Sequence, residues 1–162
     1  MTVDEVQKEE FELRKRSSLG QVLMKAARLL NEQAIDRVRA RTEQDLRPAH
    51  TAVFPHIDLE GTRLTVLAAR MGMSKQAVGQ LVGELEAMEV VERVPDPSDG
   101  RAKLVRFCQR DGKLVLFEGL AVLIEFEAEL AEQLGRERID ALHAQLTALL
   151  DVLEAPQSLT KK

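Results

Sequence analysis

The sequence has few aromatic residues: it contains no tryptophan, no tyrosine and five phenylalanines. Because bases and sugars stack on aromatic faces, this scarcity argues against a single-stranded nucleic-acid platform and predicts an aliphatic core. Hydrophobic residues make up 44% of the chain and charged residues 31%, which is too apolar for disorder and too charged for a membrane bundle. A length of 162 residues then indicates one domain, or one domain that carries an oligomerisation arm.

Cysteine and long apolar runs are also scarce. Cys108 is the only cysteine, so an internal disulfide and a Cys-rich zinc site are both excluded. No stretch approaches the roughly 20 apolar residues of a membrane span. Residues 1–12 are acidic, where a secretory signal would be basic and then apolar. We therefore expect a reduced, cytoplasmic protein.

The net charge of -4 is unevenly distributed along the chain. Residues 1–62 contain 10 Lys and Arg against 11 Asp and Glu, residues 63–113 contain 9 against 7, and residues 114–162 contain 4 against 9. The net charges of the three segments are therefore -1, +2 and -5. Because phosphate binding depends on where cations cluster, an acidic chain with a basic middle remains compatible with DNA binding.

Both ends of the chain have the apolar periodicity of long helices. One helix is predicted over residues 10–41, a second from about residue 110 to 135, and a third that ends near residue 153. Their apolar faces exceed what a compact core of about 50 residues covers, which indicates a partner subunit. The stripes are formed by Leu19, Leu23, Leu30, Leu123, Leu130, Leu142, Leu146 and Leu150.

The middle of the chain has the pattern of a helix, a tight turn and a second helix. Thr65 and Ser74 are both good N-cap residue types, and Gly72 lies between the two segments where a chain reversal needs a positive φ angle. In the second helix, apolar residues from Val78 onward form one face. The opposite face, available to solvent or a partner, contains Lys75, Gln76, Gln80 and Glu84.

A β-hairpin is predicted directly after the second helix. The β-type run at residues 90–94 is followed by the turn-rich sequence Pro-Asp-Pro-Ser-Asp-Gly, after which residues 101–108 alternate in polarity. Arg101 and Lys103 lie just past the tip of this loop. The two prolines predict that the first strand is not central in a sheet.

Together these segments resemble the MarR family of winged helix-turn-helix transcriptional regulators. The resemblance rests on the helix-turn-helix, on Val-Glu-Arg at residues 91–93, and above all on residues 96–101, Asp-Pro-Ser-Asp-Gly-Arg, which resemble that family's Asp-Pro-x-Asp-x-Arg wing motif. It implies a mainly α fold with a small β-hairpin wing. The winged helix-turn-helix occupies residues 46–109, and residues 1–45 and 110–162 form a helical dimerisation region.

The resemblance also implies how the protein acts. A homodimer places its second helices in the major groove of pseudo-palindromic double-stranded DNA and its wing arginines in the minor groove, as a repressor modulated by a small molecule. The residues expected at the DNA are Ser74, Lys75, Gln76, Ala77, Gln80, Ser98, Arg101 and Lys103. Gly79 and Gln80 stand where the family commonly has Thr-Arg or Ser-Arg, and Glu89 stands where a helix-ending glycine is usual.

Elementary chemistry supports the same DNA-contacting residues. Ser74 at a helix N-cap leaves amides that hold a phosphate, and Lys75 adds charge there. Gln76 and Gln80 lie on one helical face, and glutamine can hydrogen-bond an adenine edge as donor and acceptor. The alternative for the glutamines is an ordinary solvated face. In the wing, Asp99 is expected to pair with and orient the side chain of Arg101.

The resemblance implies an effector pocket where the dimer helices meet the winged domain, suited to a small aromatic or apolar acid. Its expected lining is Leu23, Arg47, His50, Phe54, His56 and Phe117. The alternative is that these side chains only pack at the bend forced by Pro55. His50, His56 and Asp58 have the residue types of a metal site, but without a further ligand nearby we favour pocket lining or packing.

An enzyme is not expected, because the chain has no Gly-rich phosphate loop, no nucleophile elbow and no His-Asp-Ser grouping. No metal or cofactor is expected either. Cys108 at a strand end is interpreted as a structural cysteine rather than a redox sensor. The alternative function is a helical adaptor that uses the winged domain to bind protein, and DNA retention in a gel shift separates the two.

Overall fold

A computed structural model describes residues 3–42, 44–110 and 113–155. The predicted fold class is confirmed, since helices dominate and the strands are few and short. The helices are α1 Val3–Ser17, α2 Leu19–Arg41, α3 Pro48–Thr51, α4 Leu64–Met71, α5 Lys75–Ala87, α6 Leu116–Leu134 and α7 Arg136–Glu154, with a 3-10 turn at Phe54–His56. The strands are β1 Thr62–Arg63, β2 Val91–Asp96, β3 Asp99–Phe107, β4 Gln109–Arg110 and β5 Lys113–Leu114.

The first long helix predicted from periodicity is in fact two helices. Ser18 adopts an extended conformation between α1 and α2, and its side chain accepts a hydrogen bond from the backbone N–H of Gln21 at 3.4 Å. A serine N-cap satisfies an amide at a helix start that has no partner within the helix. Apolar spacing alone does not reveal this break, because the periodicity continues on both sides of it.

The helix-turn-helix forms where the sequence predicts it, with one correction at its start. Gly72 closes α4 with φ 62°, and the N–H of Met73 donates to the carbonyl of Ala68 at 3.0 Å. Ser74 caps α5 as expected. Thr65 is not a cap, because α4 begins one residue earlier at Leu64, directly out of strand β1.

The wing is a three-stranded antiparallel sheet in the order β1-β3-β2. Strands β2 and β3 form the predicted hairpin, in which Val94 pairs with Leu104 and Val91 with Phe107. Strand β2, which contains Pro95, lies at an edge, where a residue without an amide N–H is tolerated. The third strand, β1, is too short for the sequence pattern to predict.

The core of the winged domain is aliphatic. Leu67 of α4 is fully buried, as are Val78, Val82 and Leu85 along the inner face of α5. Val105 of β3 is 1% exposed. Packing α5 against β2 therefore fixes which face of α5 remains in solvent.

The chain divides into two compact units, Met1–Gly119 and Leu120–Lys162. Helix α6 begins at Leu116 rather than near residue 110, because Gln109–Arg110 pair with Lys113–Leu114 as short antiparallel strands. Both units expose leucines: Leu19 is 69% exposed in α2, and Leu150 is 55% exposed in α7. Over the described residues, no helix combines the length and apolar composition that crossing a membrane requires.

Candidate nucleic-acid interface

The exposed face of α5 begins at its N-terminus. The Ser74 hydroxyl accepts a hydrogen bond from the backbone N–H of Ala77 at 3.1 Å. The side chains of Lys75, Gln76 and Gln80 are exposed, whereas Ala77 is half-buried. The structure thus brings five of the predicted DNA-contacting residues onto one helical surface, where a positive helix end and a lysine coincide.

The tip of the wing is held by a buried carboxylate. Asp96 accepts hydrogen bonds from the Ser98 backbone N–H at 2.8 Å, from the Ser98 hydroxyl at 2.7 Å and from Nε of Arg63 at 2.6 Å. The two bonds from Ser98, followed by the bond from Arg63, lower the pKa of Asp96 to about 2. The carboxylate is therefore ionised at neutral pH and joins the hairpin turn to the start of α4.

Asp99 does not orient the Arg101 side chain as the sequence suggests. One carboxylate oxygen of Asp99 accepts a hydrogen bond from the backbone N–H of Arg101 at 3.1 Å, and the other lies 3.7 Å from the guanidinium of Arg63. Arg101 and Lys103 are exposed on β3, as is Ser98 at the tip. Within the part of the chain that the structure describes, neither cation forms an ion pair, so both remain available to phosphate.

Sequence reasoning missed a polar cluster that connects α3 to α5. One carboxylate oxygen of Glu84, Oε2, accepts a hydrogen bond from the guanidinium of Arg47 and lies 2.7 Å from Nε2 of His50. Its other oxygen, Oε1, accepts a hydrogen bond from Nε2 of Gln80 at 3.2 Å. The bonds from His50 and Gln80, with a smaller contribution from Arg47, lower the pKa of Glu84 to about 2. Arg47 and His50 are more than 30 residues from Glu84 in the sequence, so no local motif reveals their part of the cluster.

The residues predicted to bind an effector are in different surroundings. Arg47 and His50 belong to the Glu84 cluster, and His50 is 2% exposed. The ring of Phe54 packs edge-on against Phe107 with centroids 5.7 Å apart. The remaining three differ in exposure and contacts: Leu23 is half-buried, His56 is half-buried with its backbone carbonyl accepting a hydrogen bond from Arg70, and Phe117 is 54% exposed.

An open cavity of about 550 Å³ lies between the end of α2 and the end of α5. None of the six predicted effector residues lines it. Its lining is mainly polar and consists of Arg41, Thr42, Gln44, Ala87, Met88, Glu89, Arg110 and Glu118. The sequence gives no signal for this cavity, because its lining comes from four separate segments.

The two weaker sites considered from the sequence have ordinary structural partners. Asp58 accepts hydrogen bonds from the Arg70 guanidinium at 3.0 Å and from the Thr62 hydroxyl at 3.0 Å, which lower its pKa. Across the described residues, no three His, Cys, Asp or Glu side chains converge on a point that suits a metal. For Cys108, burial and then the carboxylate of Glu92 raise the pKa of the thiol, which disfavours the reactive thiolate.

Comparison with known proteins gives a family match and fold matches. Residues 44–102 match the model of the MarR family. The repressor CouR bound to a 23-mer DNA duplex is 24% identical, with a TM-score of 0.61 over 83% of this chain and 94% of that chain. CouR from Rhodococcus jostii RHA1 bound to p-coumaroyl-CoA is 21% identical, with a TM-score of 0.59 over 83% of this chain and 93% of that chain. A variant of MarR from E. coli is 18% identical, with a TM-score of 0.63 over 82% and 96%. No curated protein sequence matches the chain.

Proposed function

We propose, because residues 44–102 match the model of the MarR family of transcriptional regulators, that the chain binds double-stranded DNA as a homodimer. Each protomer places α5 in a major groove and its wing beside the adjacent minor groove. Two identical recognition helices related by a dyad require half-sites about one helical turn apart, ~34–36 Å. The operator is therefore pseudo-palindromic.

The observation that carries this proposal is the surface of α5 together with the wing. The N-terminus of α5 presents backbone N–H groups beside the exposed Lys75, a combination that binds phosphate. Gln76 and Gln80 follow on the same face, where their carboxamides can hydrogen-bond base edges. Arg101 and Lys103 supply cations from the wing. Groups that can bind phosphate and side chains that can read base edges thus lie within a single compact unit.

The exposed leucines support a homodimer. Leu30 is 44% exposed in α2, and Leu123 and Leu142 are 38% and 53% exposed in α6 and α7. Burying a leucine fully contributes roughly 1.5 to 3 kcal/mol, so several at one interface outweigh the cost of ordering it. Sedimentation at sub-micromolar concentration should show a species of twice 18.1 kDa. A folded single chain under those conditions contradicts the dimer.

We further propose that the dimer represses transcription by occupying its operator and that a small aromatic or apolar acid weakens its binding to that DNA. CouR binds p-coumaroyl-CoA, the coenzyme A thioester of an aromatic acid, which supports an effector with an aromatic acyl group. The lining predicted from the sequence is not gathered in one place by this chain, since Arg47 and His50 bind Glu84 whereas Phe54 packs on Phe107. An effector changes affinity only through its differential binding to two states, typically a 5- to 150-fold shift. Titrating DNA binding in the presence of salicylate or p-coumarate tests this effector proposal. If neither compound changes the midpoint of DNA binding, the proposal is contradicted.

A gel shift with genomic fragments tests DNA binding itself. Because binding releases counterions, raising the salt from roughly 50 to 200 mM should weaken retention steeply. Lys75→Ala should reduce the slope of log affinity against log salt by about 1. Lys25→Ala, which removes an exposed lysine from α2, should leave the slope unchanged. Absence of retention at low salt favours the alternative, an adaptor that binds protein.

A further inference from the structure

The Glu84 cluster has a fixed pattern of donors and acceptors. The backbone N–H of Arg47 donates to Nδ1 of His50 at 3.2 Å, so Nδ1 accepts and carries no proton. Nε2 of His50, which lies 2.7 Å from the Glu84 carboxylate, therefore carries the proton and donates it. Because His50 is buried and α3 packs against α5, Glu84 is held from two sides rather than moving freely in solvent.

The cluster also determines how Gln80 is oriented. Oε2 of Glu84 accepts from both Arg47 and His50, which leaves Oε1 to accept from Nε2 of Gln80. A carboxylate only accepts, so the carboxamide of Gln80 must turn its nitrogen toward Glu84. Glu84 uses neither the oxygen nor the second N–H hydrogen of this carboxamide, and the side chain of Gln80 is exposed. This pair is the acceptor and donor that matches N6 and N7 of adenine.

An isolated carboxylate is unfavourable on a surface that approaches DNA, because it repels phosphate. Glu84 lies one turn after Gln80 on the recognition helix, which is such a surface if the proposed function holds. The guanidinium of Arg47 compensates its charge. The arrangement therefore keeps the acceptor that Gln80 needs and offsets the electrostatic penalty that this acceptor would otherwise cause.

We propose that Glu84, held by Arg47 and His50, is a positioning residue that sets the base preference of Gln80 toward adenine. The inference rests on the proposed DNA binding and names the specificity of that same site. In Glu84→Gln, the amide has one oxygen for the donors of Arg47 and His50 and turns its NH2 group toward Gln80. The carboxamide of Gln80 must then flip and present its donors to the groove, which suit the acceptors of guanine.

The experiment is selection from a library of random duplexes, followed by sequencing, with the full-length chain. The variants are wild type, Gln80→Ala, Glu84→Gln and the double variant. Glu60→Gln is the matched control, because it removes the same charge from an exposed turn outside the recognition helix. Thermal unfolding of each variant is measured in parallel, since a purely structural role would change the unfolding midpoint without changing base preference.

Wild type should enrich adenine at one position of each half-site. Glu84→Gln should reduce that adenine preference by about tenfold, comparable to the loss of one bidentate base contact. Glu60→Gln should keep the preference and only raise overall affinity. In the Gln80→Ala background, Glu84→Gln should have no further effect on that position.

Other outcomes overturn the inference in distinguishable ways. If Glu84→Gln selects the wild-type sequence, or if its effect persists without Gln80, Glu84 does not position Gln80. If Glu84→Gln lowers the folded fraction, Arg47→Gln replaces it, because that change disturbs the cluster and leaves α5 intact. Arg47→Gln must then also weaken the adenine preference, and an unchanged preference rejects the inference. If wild type enriches no duplex at all, the proposed function itself fails and the inference fails with it.

Discussion

Replacing Glu89 by glycine should stabilise the protein. Glu89 follows α5 with φ 56°, in the left-handed region that costs a residue with a Cβ atom roughly 1–2 kcal/mol. Glycine removes this strain, but its more flexible unfolded chain costs about 0.4–1 kcal/mol. The pair that Glu89 forms with Arg110 contributes little, because the carboxylate is 81% exposed and the distance is 3.7 Å. The net gain is about 0.5–1 kcal/mol.

Thermal unfolding at a fixed protein concentration measures this gain. For a chain of this size, ~0.5–1 kcal/mol corresponds to a rise in Tm of roughly 1–4 °C. The matched control is Ala87→Gly, which places the same residue two positions earlier, in the helix itself. It should destabilise by roughly 0.5–1 kcal/mol. If both variants lower Tm by the same amount, the left-handed conformation of Glu89 stores no strain and the reasoning is wrong.

Three further predictions concern acid stability, the wing and the core. Glu84 and Asp96 have pKa values lowered to about 2 from ordinary values of 4.5 and 3.8. The contribution of these two carboxylates to the free energy of unfolding is therefore complete above about pH 4.5 and is lost as pH falls toward 2. In Glu84→Gln, the measured free energy of unfolding should depend less on pH in that window. Arg101→Ala should weaken binding to AT-rich flanks by about 1–3 kcal/mol in a fluorescence anisotropy titration, whereas Arg136→Ala in α7 should not. Leu67→Ala should lower the free energy of unfolding by about 2–5 kcal/mol in urea, because Leu67 is fully buried. Losses below 1 kcal/mol would mean that it is not part of the core.

The helix-turn-helix and the β2–β3 hairpin of the winged domain could be predicted because each has a local cause in the sequence. Ser74 has the chemistry of an N-cap, and Gly72 is the residue type that a left-handed turn favours. The prolines of residues 95–97 mark an edge strand and a turn. The residues at which helices begin and end were harder to predict from the sequence. Ser18 interrupts a continuous apolar stripe, and only its conformation shows that a helix ends there.

Contacts between distant segments could not be predicted, because they depend on the packing of whole elements. The sequence suggests that Asp99 pairs with its neighbour Arg101, but the pairing of β1 with β3 brings Arg63 to the carboxylates instead. His50 was interpreted as a pocket residue, and its hydrogen bond to Glu84 depends on α3 meeting α5. Local propensity therefore determined the elements, while tertiary packing determined the partners of the charged residues.

Stoichiometry and half-site spacing on a selected duplex test the central claim most directly. Wild-type protein is mixed with the duplex, the mass of the complex is measured by sedimentation, and hydroxyl-radical footprinting maps the nucleotides whose backbone is protected. The account predicts two chains per duplex and two protected half-sites with centres about 10–10.5 base pairs apart. One chain per duplex, or a single protected patch without dyad symmetry, would contradict it.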